Sequence, residues 1–148
     1  MSKPVLKGLV GVLVWGIISV GILSAAIDEI PQDVEVFIQT FFQKLTSGEA
    51  EAAVRLVESK MANPDESTFK RQSLILDLTN IEKLFGKYVG SEKLYSEYRG
   101  KDLLEVRYLY KGENAPLVFY FNFYKPKEKW LLDMIYWDRK PEALFDDD

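Results

Sequence analysis

Few side chains in this sequence can do chemistry, because its 148 residues contain neither histidine nor cysteine. Without histidine, the commonest general base and metal ligand at neutral pH, Ser-His-Asp and Cys-His catalysis and the usual zinc sites are excluded. Without cysteine there is no thiolate nucleophile, no disulfide framework and no lipid-modified cysteine. No phosphate-cradling loop is present either, since Gly86, Gly90, Gly100 and Gly112 stand alone rather than in a GxGxxG or GxxxxGK series. Chemistry must come from Asp, Glu, Lys, Arg or Tyr. Tyr108, Tyr110 and Tyr136 alternate with other residues in apolar stretches and could donate hydrogen bonds into an enclosed space, but no acid shares their face. They read more simply as core residues with hydroxyls at the rim, and no catalytic residue, cofactor or metal site is assigned. Arg107 has Glu105 beside it and Asp133 on a later strand as pairing partners, an arrangement that usually serves as sheet glue.

The elements that must position these residues change character along the chain. Val34, Phe37, Ile38, Phe41, Phe42 and Leu45 make one apolar stripe, predicting a helix over 31–45 that ends at Thr46-Ser47-Gly48. A second helix, over 49–61, offers Ala52, Ala53, Leu56 and Val57 and meets the breaker Asn63-Pro64. A third, over 66–85, is capped by Asp65, carries Phe69, Leu74, Ile75, Leu78, Ile81, Leu84 and Phe85, and stops at Gly86. From Tyr88 the period becomes that of strands, and 13 of the next 50 residues are aromatic. Strands are predicted over 89–98, 103–110, 117–124 and 130–137, joined by turns short enough to make an antiparallel meander. Alternation then sorts two faces. The core face takes Leu104, Val106, Tyr108, Tyr110, Phe119, Phe121, Phe123, Trp130, Leu132, Met134 and Tyr136, and the outer face takes Glu105, Arg107, Leu109, Tyr120, Asn122, Tyr124, Asp133, Ile135 and Trp137.

Residues 1–27 stand apart. Lys3 and Lys7 precede an uncharged run over 8–27 that closes on Ser24-Ala25-Ala26, the layout of an export signal with small residues before its cleavage site. About 20 residues at 1.5 Å rise also suffice to cross a bilayer, so the segment is expected to be either a signal peptide or an uncleaved membrane anchor. A buried soluble helix is the poorer reading, since every side is apolar and four glycines (Gly8, Gly11, Gly16 and Gly21) interrupt it. In both cases Lys3 and Lys7 stay inside and the rest is exported, periplasmic or otherwise extracytoplasmic, at the inner membrane if anchored. What remains is one domain, over 28–140, with an acidic tail over 141–148. Its net charge moves from −4 to −6 once Lys3 and Lys7 are set aside, which repels a phosphate-rich partner and argues against nucleic acid. The lysine-rich stretch 125–129 reads as a solvated hairpin turn. The tail's three adjacent aspartates lack the spaced ligands and turn glycine of a calcium loop.

The order of these elements resembles the NTF2-like (cystatin-like) superfamily of α+β domains. The residues that carry the resemblance are the Phe37-to-Leu45 stripe followed by Gly48, the alanine-rich second helix, a third helix ending Leu84-Phe85-Gly86, and a last strand opening Trp130-Leu131-Leu132 after a charged turn. The resemblance implies three helices packed on a curved antiparallel sheet of about four strands, a cone-shaped cavity between them, and often a dimer through the outer sheet face. Two non-catalytic readings follow. The favoured one places a homodimer or envelope-protein contact on Tyr120, Tyr124, Ile135 and Trp137. The other places a small apolar ligand among Phe41, Phe69, Tyr108, Phe121, Met134 and Tyr136. A histidine-independent isomerase or hydratase comes last.

Overall fold

The computed structural model describes residues 29–62 and 71–140. Three helices, α1 (Gln32–Thr46), α2 (Ala50–Lys60) and α3 (Arg71–Phe85), precede four strands, β1 (Tyr88–Arg99), β2 (Leu103–Gly112), β3 (Pro116–Tyr124) and β4 (Leu131–Asp138). The strands form one antiparallel sheet in chain order. This is the α+β arrangement that the NTF2-like resemblance implies. The signal or anchor segment, Asn63-Pro64, the predicted start of the third helix with its cap Asp65, Phe69, and the acidic tail lie outside the described residues.

Helix α1 forms where its stripe predicts. Pro31 sets the entry, Asp33 and Glu35 meet the positive helix end, Lys44 meets the negative one, and all six stripe residues are buried. In α2 the buried set is Ala50, Ala53, Val54 and Val57, with Ala52 and Leu56 only partly covered. In α3 it is Leu74, Leu78, Ile81 and Phe85. Leu84, expected inside, is 65% exposed, because the 74/78/81/85 stripe already fills the side that faces the sheet. Gly86 follows α3 at φ +84°, which ends the helix, and the Phe85 carbonyl then accepts the backbone amides of Asn114 and Ala115. Gly112 lies under that same carbonyl, so any side chain there would run into it.

The core is an aromatic stack between α1 and the sheet. Phe41 lies 5.6 Å from both Phe119 and Phe121, Phe37 lies 5.8 Å from Phe123, and Phe42 lies 5.8 Å from Tyr108, mostly edge-to-face. On β2 and β3 the predicted core face holds: Leu104, Val106, Tyr108, Tyr110, Phe119, Phe121 and Phe123 are all buried.

On β4 the predicted faces are inverted halfway. Trp130 and Leu132 point to the core as expected, but the pairing steps from Phe123 opposite Leu132 to Asn122 opposite Met134, leaving Asp133 as an extra residue. That bulge reverses the alternation beyond it. Ile135 and Trp137, expected outside, therefore pack against the core, with Trp137 5.4 Å from Phe119. Met134 and Tyr136, expected inside, stand on the outer face, 49% and 39% exposed. A second bulge in β1, at Leu94, likewise resets that strand against β2.

Burial raises the pKa of Tyr108 and Tyr110, with Glu35 adding to the first and Glu82, then Tyr88, to the second. A phenol whose folded pKa lies above its unfolded one contributes stability that is complete below about pH 10 and is lost as pH rises through the folded value. Ultraviolet titration of the phenolates should show these two ionising above the ordinary phenol range, together with loss of near-ultraviolet circular dichroism. Their ionisation with the fold intact would contradict this.

Candidate functional site

Among the described residues, rings fill the space between α1 and the sheet. Phe41, Tyr108 and Phe121, expected to line an open cone, are part of the packed stack. A partly enclosed cavity of about 60 Å³ lies between the α1–α2 corner, α3 and the sheet, lined by Leu45, Ala50, Leu78, Ile81, Tyr88 and Tyr110. That is far below the several hundred Å³ of a metabolite site. The Tyr110 hydroxyl donates to the Gly86 carbonyl at 3.4 Å and Tyr88 donates to Ser91 at 2.9 Å, so neither hydroxyl has a proton left to donate to a guest. An open groove of about 500 Å³ runs between α3 and β4 past Asp77, Lys83, Leu84 and Trp137.

The organised chemistry lies on the other side of the sheet. Four outward residues stand in one cross-strand row: Tyr95 is paired with Arg107, Arg107 with Tyr120, and Tyr120 with Tyr136. The Arg107 guanidinium carbon lies 4.6 Å from the Tyr95 ring centroid and 5.3 Å from that of Tyr120. Tyr120 stacks on Tyr136 at 4.5 Å with planes 5° apart. Arg107 also donates through Nε to Glu105 at 2.6 Å, one of the two partners the sequence offered. Burial opposes its charge, but Glu105 outweighs burial and its pKa is raised. Glu97 beside Tyr95 raises the tyrosine pKa, and Tyr95 in turn holds that carboxyl below its usual range. Burial, then Glu105, raises that of Tyr136.

The adjoining row sets Glu97 beside Glu105, then Asn122 and Met134. Asn122 Oδ1 is buried without a hydrogen-bond partner. At the sheet end, Leu103, Tyr124 and Leu131 continue the same face, the first two 48% and 43% exposed.

Of the residues expected at an outer contact, Tyr120 and Tyr124 are on this face, while Ile135 and Trp137 are replaced by Met134 and Tyr136. The sequence reading missed Tyr95 and Glu97. The alternation Tyr95, Glu97, Arg99 was there to find, but only the pairing with Arg107 sets it on the outer side.

No family model matches the chain, and no curated protein matches it. Among solved structures it is similar to a Campylobacter jejuni protein whose name suggests an NTF2-like transpeptidase. The TM-score is 0.48 at 16% identity, covering 68% of this chain and 96% of that one. A likeness of that size transfers no activity.

Proposed function

We propose that this chain is a non-catalytic, exported envelope domain that works through self-association of the outer sheet face, a second copy of the chain being the partner. Residues 8–27 deliver it across the membrane and either leave or stay as its anchor. The observation that carries the reading is the Tyr95–Arg107–Tyr120–Tyr136 row, in which four rigid, mutually stacked side chains span every strand. Tyrosine and arginine are the residues that dominate contact energetics, and here their rotamers are fixed before any partner arrives. Balanced charge favours a second copy. Along β1 and β2 the face carries Glu92, Glu97 and Glu105 paired with Lys111, Arg99 and Arg107, and beside them β4 presents Met134 and Tyr136 next to the buried Tyr120. A two-fold rotation lays such a face on itself with acids over bases.

A different envelope protein would use the same face. The small-ligand reading has less support, because rings fill the interior it needs. Self-association makes the melting temperature rise with protein concentration, whereas a bound guest makes it rise with that guest. A melting temperature unchanged over a hundredfold range of protein concentration, about the range needed to expose mass action, would remove the proposal.

A further inference from the structure

The path of the chain sorts its ends. Tyr98, near the end of β1, donates its hydroxyl to the Glu29 carbonyl at 3.2 Å and packs on Trp130 at 6.0 Å. The Lys125 amide donates to the Asp102 carbonyl at 2.8 Å, joining the β1–β2 and β3–β4 turns. So the residue that follows the apolar run by only two positions is held at the same end of the sheet as both turns.

The two turns are basic on an acidic protein. Residues 99–102 and 125–129 supply Arg99, Lys101, Lys125, Lys127 and Lys129 against Asp102 and Glu128, while the whole chain carries −4. Arg99 is paired with Glu97 at 3.3 Å and Lys125 lies 5.0 Å over the Trp130 ring, so the solvated charge resides on Lys101, Lys127 and Lys129. Among the described residues, other ionic groups toward this end include Glu29, Asp133 and the Asp33–Lys60 pair at 3.0 Å. Beside the lysines is the apolar rim Leu103, Tyr124 and Leu131. Lysines interleaved with tyrosine and leucine match the headgroup layer of a bilayer, which takes the cations at its phosphates and the rings at its boundary.

We infer that this end of the domain seats on an anionic phospholipid surface, with Lys101, Lys127 and Lys129 on the headgroups. It rests on the reading that residues 8–27 hold the protein at a membrane.

The full chain would be reconstituted into vesicles of phosphatidylcholine, with and without phosphatidylglycerol at about one third, a fraction that gives a substantial negative surface potential. Flotation reports anchoring, and the rate of lysine acylation, read by mass spectrometry, reports the surface. Lys83 and Lys111, at the far end by the β2–β3 turn, serve as internal references. Lys101, Lys127 and Lys129 should react about threefold or more slowly in the anionic vesicles at low salt, and recover at about 0.5 M salt, where the Debye length is only a few ångströms.

Flotation on both vesicles with unchanged acylation, or with the same protection on both lipids, overturns the inference and leaves the anchor standing. Failure to float on phosphatidylcholine removes the anchor reading instead. In that case flotation on the anionic vesicles that is lost in the Lys101→Glu/Lys127→Glu/Lys129→Glu variant still supports the surface. Flotation on neither overturns both.

Discussion

Replacing Phe121 by alanine should remove about 3–5 kcal/mol of stability, a large share of the roughly 5–15 kcal/mol that holds a domain of this size. The ring is fully buried and meets Phe37, Phe41, Phe42, Tyr108 and Phe119 at centroid separations between 5.6 and 6.5 Å. Its neighbours come from a helix and from two adjacent strands whose backbones are tied in a ladder, so the hole cannot collapse easily. No disulfide compensates, since the chain has no cysteine. Urea unfolding of the chain without residues 1–27 measures this. A loss under about 1.5 kcal/mol would mean that Phe121 bordered empty space, because truncation beside an existing void forfeits fewer contacts. That outcome would return the ligand-binding cone to favour. Leu84→Ala, on the exposed side of α3, is the control and should change little.

Tyr136→Asp should weaken self-association by about thirtyfold or more, the effect of losing a central contact residue worth about 2 kcal/mol or above. The substitution deletes the ring stacked on Tyr120 and sets a carboxylate near Glu105 and Glu97, which are already adjacent across strands. It should spare the fold, because Tyr136 is 39% exposed and lies on the side of the sheet away from the phenylalanine stack. Tyr136→Phe keeps the stack and should keep the association, separating the ring from its hydroxyl. The same logic corrects the sequence-based choice of Trp137 as a contact residue. It packs against Phe119, so a charge there would strike the core rather than the surface.

That correction marks where legibility ends. The α1 stripe and the faces of β2 and β3 could be read because uninterrupted periods of 3.6 and 2 leave one solution. The face of β4 could be read only as far as Leu132. Asp133 is an ordinary residue in sequence, and its role as the unpaired member of a bulge exists only once β3 lies beside it. Leu94 does the same in β1, which hid Tyr95 from the site. In α3 the apolar residues outnumber the positions that face inward, and the packed geometry chooses among them, leaving Leu84 outside. The candidate site therefore combines a legible pair, Arg107 and Tyr120, with two partners whose direction was set by bulges.

Sedimentation equilibrium of the chain without residues 1–27, run beside its Tyr136→Asp variant, bears most directly on the outer face as the working surface. The account predicts a wild-type mass that climbs toward twice the subunit with concentration, and a variant that stays monomeric and folded over the same range. A wild-type chain that remains a monomer throughout, or a variant that associates as well as the wild type, would contradict it.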